Sequence, residues 1–546
     1  MQKTNPYLLI SLEKAPFLLS LEDRKALSVT YGCFDRNYWG WKFIDFPGPR
    51  FQEGVCSLAL LYTADFAGNY LFKNKKILEW LLAGMDYWVK LAHRNGSFDE
   101  AYPYEQSFAA TAFTVFYVGE AFLAVSNEIP GALKEKLSET FSQAGDWLCK
   151  NDEKHGILSN HLAAAVAALY NAYLITVNRE FQERSHYFLR KIYRHQSNEG
   201  WFEEYGGVDP GYQTLCLFFL ARVWQRTKDD ALLGRLKSAI EFLSHFVHPD
   251  TTIGGEYASR NTEFYFPAAF EMLSEEFALA GKIAQFMRGG IESQLTAGLS
   301  VVDSYNFFPM LNNYIFAGLS ALAQDRSEEL PFQKKLQKYY KEAGVYIKSS
   351  DKYYAIVGVS KGGVIKVFDK ERRVLLYSDC GYWMRLKNGN VFSSQSLDRS
   401  RTVSFDRDMI ELSSRFSQTT GKIFHPGLFI FFRILTLSLG RLPFFASWIK
   451  CALVKALVLK KINIGCILSR TIEFKDNQIH IIDIIDNIDS VNPVFLTRGD
   501  KFTTIHMGSS QYFQKSELEA EYFKVDNLLE GIRDKKLIRF EKTIIF

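Results

Sequence analysis

The sequence predicts two domains of different class, an α/α toroid of helical hairpins over residues 1–345 and an antiparallel β-sandwich over residues 350–546. Three observations carry that division. Apolar runs of helical length recur from Phe51 to about residue 345, alternating with more charged stretches. Four loops of similar character lead into the apolar runs, and their glycines (Gly96, Gly156, Gly200 and Gly254) are spaced by 60, 44 and 54 residues. A period near 50 fits one helical hairpin per repeat. Beyond residue 350 the apolar runs shorten and become β-branched and aromatic, as strands require.

The elements follow in order. Phe108–Phe122, Leu162–Leu174, Thr214–Trp224 and Phe264–Leu273 are apolar on every side and predict an inner ring of buried helices. Leu133–Lys150, Phe181–His195 and Asp230–Val247 are amphipathic and predict an outer ring with a solvated face. The loops at one end of the inner helices then converge on a single cleft. A domain boundary within 340–352 is expected. Strands are predicted at Tyr353–Val359, Gly363–Phe368, Arg373–Ser378, Met409–Phe416, Ile467–Phe474, Gln478–Asp486 and Lys536–Phe546, separated by turns such as Lys361-Gly362-Gly363.

One segment departs from the strand pattern. From Pro426 to Gly465 there is no Asp or Glu, while Arg433, Arg441, Lys450, Lys455, Lys460 and Lys461 interrupt long apolar runs. Gly440-Arg441-Leu442-Pro443 divides it into two helical pieces, each too short to span a bilayer. Such a basic apolar insertion, residues 426–465, suits either an anionic membrane surface or a hairpin packed on the toroid or a second subunit.

Composition narrows the function. Lys plus Arg is 65 and Asp plus Glu is 61, a net charge of +4, too balanced to suggest nucleic-acid binding by bulk charge. Aromatics reach 15%, suited to stacking on sugar rings and equally to core filling. Seven cysteines, none in a C-x-x-C pair, read as reduced thiols. The N-terminus lacks the apolar stretch of a signal peptide, so a cytoplasmic location is expected, either free or peripheral on the inner face of the cytoplasmic membrane.

The candidate chemistry begins at Asn160-His161, at the start of an inner helix. The pair reads either as a cap and a packed first turn, or as an amide for a substrate carboxylate beside a group that titrates near neutrality. Tyr212 stands 52 residues downstream at the matching place of the next repeat, where a partner sharing the cleft belongs, as a reacting group or as an aromatic lining. Asn160, assisted by Arg260, suits neutralisation of a uronate carboxylate, His161 the base, and Tyr212 the acid or both proton transfers.

Around these, the stretch 35–53 mixes aromatics with both charge signs. Trp39 or Trp41 reads as a stacking platform, and Arg36, Lys42 and Arg50 as partners of an acidic group, with Glu53 close by. The same stretch would equally serve to close the toroid by packing. Tyr104, Glu105 and Gln106 begin another inner helix, Trp201 and Glu203 lie in the third loop, and Arg260 and Asn261 in the fourth. All are assigned as substrate-binding candidates.

On the Asn160-His161 pair and Tyr212 one repeat later, within a toroid followed by a sandwich, the chain resembles the heparinase II/III-like family and the related alginate lyases. The resemblance covers most of the chain as architecture and these three positions as motif. It implies a polysaccharide lyase that cleaves a uronic-acid-containing glycan by β-elimination, linked to bacterial surface polysaccharides. The expected partners are an acidic polysaccharide or lipid-linked oligosaccharide and an anionic membrane surface, with no nucleic acid. The family usually adds a His or Tyr from the region joining the two domains; His425, His480 and His506 are the histidines of the second half. Two alternatives stand beside it: a glycoside hydrolase drawing paired carboxylates from Asp99, Glu100, Glu203 and Glu204, and a noncatalytic membrane-docked glycan binder. No cofactor is expected, since phosphate-loop, flavin and zinc spacings are missing. The family allows a structural metal in the sandwich, for which no ligands stand out.

Overall fold

The computed structural model describes residues 5–154, 156–322, 327–398, 403–419, 425–442, 445, 449, 462–499, 517–518, 520–529 and 537–546. Lys450, Cys451, Lys455, Lys460, Lys461 and His506 lie outside the described residues, as does most of the second half of the basic segment.

Six helices form an inner ring: α2 (Gly54–Thr63), α4 (Phe108–Val125), α6 (Ser159–Thr176), α8 (Pro210–Thr227), α10 (Ala268–Met272) and α12 (Ser304–Ser320). Each packs on the next, and α12 packs back on α2, so the ring closes. Outside them run α1 (Pro6–Leu21), α3 (Lys75–Leu91), α5 (Gly131–Lys150), α7 (Arg179–His195), α9 (Asp230–Ser244) and α11 (Ala278–Glu292). This is the toroid the repeats predict. Composition sorts the rings. α4 is apolar almost throughout and buries nearly every residue. α7 buries only Phe181, Ser185, Phe188, Leu189 and Ile192, a single stripe at helical spacing. α4 is also the one described helix long and apolar enough to cross a membrane, but 89% of its apolar window is buried in the core.

The expected inner helix Phe264–Leu273 is shorter than predicted, Ala268–Met272. Pro267 disfavours helix before it, and residues 254–266 instead form an irregular loop, turning at 256–260, that meets the second domain. There a Cβ on Gly254 would collide with the Thr262 carbonyl.

The second domain opens at Leu336, ahead of the window expected. β1 (Leu336–Tyr340), β2 (Val345–Ser349), β3 (Tyr353–Gly358), β4 (Val364–Asp369) and β5 (Val374–Asp379) form an antiparallel meander. A second antiparallel sheet comprises, among the described residues, β6 (Tyr382–Leu386), β7 (Val391–Ser393), β8 (Val403–Asp406), β9 (Met409–Gln418), β10 (Asn463–Lys475), β11 (Gln478–Asp486), β12 (Pro493–Arg498), β13 (Glu521–Lys524) and β14 (Ile538–Ile545). Its order is β13-β12-β6-β7-β9-β10-β11-β14, with β8 on β9.

The meander is the middle layer. β3 and β4 are buried at every position, because successive side chains face opposite cores. Tyr354, Ile356, Val364 and Phe368 join the helical core. Ala355, Val357, Ile365 and Val367 meet Ile410, Leu412, Ile472 and Ile479 of the second sheet. The strands of that outer sheet alternate, as a half-solvated sheet must. Between β9 and β10 stands the first piece of the basic segment, helix α13 (Pro426–Ser438), followed by one 3-10 turn through Arg441.

Candidate active site

The N-terminal ends of α4, α6 and α8 meet at one mouth of the toroid, where the sequence places its candidates. α6 has no side-chain cap of its own. The Ser159 N–H donates to the Glu203 carbonyl at 3.2 Å, and the Asn160 N–H donates to Glu204 Oε1 at 2.8 Å. Glu204 thus supplies an acceptor for an N–H that the helix start leaves unpaired. Asn160 does not act as the cap: its side-chain Oδ1 is buried without a hydrogen-bond partner, a cost that a site for a polar ligand explains.

His161 is partly exposed. Its Nδ1 lies 2.8 Å from Oε2 of Glu153, whose side chain is almost fully buried. With Glu153 ionised, Nδ1 donates and Nε2 keeps its lone pair, the tautomer a base requires. The ring meets Phe113 edge-on at 5.5 Å. The Arg50 guanidinium lies over the same Phe113 ring, 4.6 Å from its centroid. Arg50 donates through Nε to Glu53 at 2.8 Å and reaches Glu100 at 3.4 Å, and Tyr212 lies within its electrostatic range. Burial works against its charge, and Glu53 and Glu100 outweigh burial, so Arg50 stays protonated.

Tyr212 opens α8, its N–H capped by Asp209 Oδ1 at 3.1 Å. The Arg260 guanidinium stacks over its ring at 4.1 Å and over Tyr205 at 4.8 Å. Arg260 is buried and fixed by two carboxylates, Asp209 at 2.7 Å and Glu204 at 3.3 Å. Burial pushes the Glu204 carboxyl up to about 7, against the opposing pull of Arg260 and the Asn160 N–H. Glu204 therefore joins the α6 start to Arg260, and Arg260 joins it to Tyr212. Asn160, His161, Tyr212, Arg260 and Arg50 share one web of contacts.

The second domain holds that web from behind. Lys361, in the turn between β3 and β4, is fully buried and donates to the Ala258 carbonyl and, at 3.0 Å, to the Ser259 carbonyl. Its ammonium is pushed down to about 7 by burial. Lys366 on β4 pairs with Glu263 at 2.6 Å and Glu256 at 3.1 Å. The loop carrying Arg260 is thereby clamped to the sandwich.

Other predicted residues fall elsewhere. Trp201 is buried with its Nε1 donating to Glu199 at 3.0 Å, and Glu203 lies 3.5 Å from His195. Both line an outer groove with Lys341 and Glu342, apart from Tyr212. Residues 202 and 204 are bridged to flanking segments in extended backbone, so neighbouring side chains diverge. Glu105 accepts the Glu100 and Ala101 N–H groups, and Asp99 accepts those of Tyr104 and Gln106. They shape the loop before α4. Tyr104 and Gln106 take positive φ there, and Tyr104 packs on His93. Trp39 donates to the Leu21 carbonyl at 2.8 Å. Arg36, Trp41 and Lys42 are exposed at the two ends of the short helical turn Asn37–Trp41 that contains Trp39. Asn261 is fully buried beside Arg260, with neither side-chain polar atom hydrogen-bonded. Of the carboxylates considered for hydrolysis, Asp99 and Glu203 are engaged away from the web, and Glu100 and Glu204 face the two arginines. His425 accepts from the Gly427 N–H at the start of α13, and His480 lies against Thr543 on the outer sheet. Glu153, Tyr205 and Lys361 were not singled out by sequence; a carboxylate eight residues before His161 was the available signal for the first.

No family model and no curated protein matches this sequence. Solved structures do. The Streptomyces coelicolor A3 chondroitin AC lyase, in complex with chondroitin sulphate, aligns over 91% of this chain and 68% of its own, with TM-score 0.59 and 10% identity. A Paenibacillus xanthan lyase aligns over 90% of this chain, with TM-score 0.54 and 9% identity. This chain spans under half the length of that lyase, 46%. A Pedobacter heparinus heparan sulfate lyase aligns at TM-score 0.45 and 11% identity, over 89% of this chain and 70% of its own. The toroid-plus-sandwich fold is that of the first two lyases.

Proposed function

We propose that this chain is a polysaccharide lyase that cleaves a uronic-acid-containing glycan by β-elimination. The observation that carries the reading is the convergence of a buried amide with an unpaired oxygen, an oriented imidazole and an arginine-stacked phenol at one mouth of a toroid. Elimination needs three things: neutralisation of the C6 carboxylate, removal of the C5 proton, and a proton for the departing C4 oxygen. The Asn160 Nδ2 donates to the carboxylate, and Arg260 adds positive charge beside it. His161 Nε2 takes the C5 proton, and the electron pair forms the C4=C5 double bond as the C4–O bond breaks. The Tyr212 hydroxyl delivers its proton to the leaving oxygen. No water is consumed. Arg260 and Arg50 compensate the negative charge left on Tyr212 until a proton returns.

The substrate in this reading is an acidic polysaccharide or a lipid-linked acidic oligosaccharide. The acidic glycans named for the fold neighbours support it, as does the pair of guanidinium groups in the cleft. We place the glycan in bacterial surface-polysaccharide metabolism and the enzyme in the cytoplasm. Buried thiols at Cys33, Cys56, Cys216 and Cys466 support a reducing compartment.

The test is ultraviolet detection of unsaturated uronates across a panel of acidic bacterial polysaccharides, with wild type beside Asn160→Ala and Tyr212→Phe. The expected result is an unsaturated product in wild type and its loss, by about 10²-fold or more, in both variants. Products without the double bond would support the hydrolase, with Glu204 as the first carboxylate to replace. Tight binding of a glycan without turnover would support the noncatalytic binder.

A further inference from the structure

Helix α13 does not behave as part of a folded core. Of its residues only Thr436 is buried, while Ile430, Phe431 and Ile434 are 60%, 62% and 61% exposed. Leu428 and Leu437 are exposed as well, so the apolar surface runs around most of the helix. A second apolar segment stands beside it: Trp41 is 70% and Phe43 93% exposed. The two are joined by Arg433, which lies 3.0 Å from Asp45 and packs over Phe46. Apolar side chains protruding from two adjacent segments exceed what a solvated surface ordinarily carries.

The charge carried by the helix itself has one sign. Residues 426–442 contain no acid and carry Arg433 and Arg441, and the exposed 41–44 segment carries Lys42. Asp45, the acidic group at the junction, is engaged by Arg433. A projecting helix that is apolar nearly all round suits an acyl and headgroup boundary better than a flat protein surface, and a basic rim complements anionic headgroups.

We infer that α13 and residues 41–44 form a docking surface for an anionic lipid bilayer. The surface is built onto the rim of the cleft. Phe432 meets Tyr102 edge-on at 5.1 Å, and Arg441 stacks over Tyr104 at 5.4 Å. Those tyrosines belong to the loop that begins α4 and carries Glu100, a partner of Arg50. Docking therefore holds the mouth of the toroid at the membrane, where a glycan still attached to its lipid would enter. Trp41, Lys42 and Arg36 then serve lipid contact instead of the sugar subsite the sequence suggested. The inference does not depend on the lyase reading, because its readout is binding.

The test is co-sedimentation of the full chain with phosphatidylcholine vesicles with and without phosphatidylglycerol. The account expects at least about tenfold more protein bound to the anionic vesicles, falling as salt is raised. Phe431→Ser with Ile434→Ser, and separately Phe43→Ser, should each lower binding about tenfold with an unchanged melting temperature, since these side chains contribute little to the fold. Equal pelleting of the variants, or no preference for anionic vesicles, would overturn the proposal. So would a concentration-dependent dimer in sedimentation velocity that Phe431→Ser dissociates, which would make the face a protein interface.

Discussion

Arg260 is where structure and chemistry are most tightly joined, and replacing it by Met separates them. The side chain is 3% exposed, and its two partners, Asp209 and Glu204, are 0% and 1% exposed. Removing one member of such a buried set leaves uncompensated charge and costs about 3–5 kcal/mol. The two carboxylates do not share that cost equally. Glu204 already sits at about 7 and takes up a proton with little penalty near neutrality. Asp209 carries the rest, since it caps α8 and holds the shorter contact. Arg260→Met is thus expected to destabilise the toroid by about 3–5 kcal/mol. Adding Asp209→Asn, which preserves a capping side chain, should recover most of the loss. Activity should behave differently. Neither variant has a cation over Tyr212, so both should lose about 10²–10³-fold in kcat. Circular dichroism through a denaturant titration gives stability, and ultraviolet product formation gives kcat. A double variant that regains both would refute the assignment, leaving Arg260 a structural clamp. A single variant as stable as wild type would refute the ion-pair reasoning.

Three further outcomes follow from the same geometry. Glu204 has a folded pKa raised from 4.5 to about 7 by burial, so its contribution is fully present below pH 4.5 and is lost as pH rises through 7, about 3 kcal/mol in all; Glu204→Gln should flatten that fall in melting temperature between pH 4.5 and 7. Lys361→Met frees the Ala258 and Ser259 carbonyls and loosens the loop carrying Arg260, so kcat should fall by about 10²-fold while the unfolding midpoint shifts less than in Arg260→Met. Arg470 is fully buried between Asp379 at 2.9 Å and Asp483 at 2.7 Å; Arg470→Ala should destabilise the sandwich by about 3–5 kcal/mol and leave kcat per folded molecule unchanged, measured by active-fraction-corrected assays.

The inner helices were legible because burial on all sides leaves an unmistakable apolar run: Phe108–Phe122 is expected and Phe108–Val125 is found. The outer strands were legible from alternation, as in Gln478–Asp486. β1 escaped because Leu336–Tyr340 is an edge strand with three exposed residues in the middle, so it shows no alternation. Within the site, the starts of α6 and α8 were legible from repeat spacing, which places Asn160, His161 and Tyr212 at one end of adjacent helices. What sequence could not decide is which way an extended loop aims its side chains. Glu203 and Glu204 are neighbours in sequence, yet one lies beside His195 and the other beside Arg260. Contacts made across the domain boundary, such as Lys361 to the loop at 258–259, leave no local pattern at all.

The central claim is that the glycosidic bond is broken without water. Digestion of a responsive acidic polysaccharide in heavy-oxygen water, followed by mass spectrometry of the new chain ends, tests it directly. The account predicts an unsaturated uronate carrying no solvent oxygen, formed at a rate that falls together in Asn160→Ala and Tyr212→Phe. One solvent oxygen incorporated at each cleaved bond would contradict it.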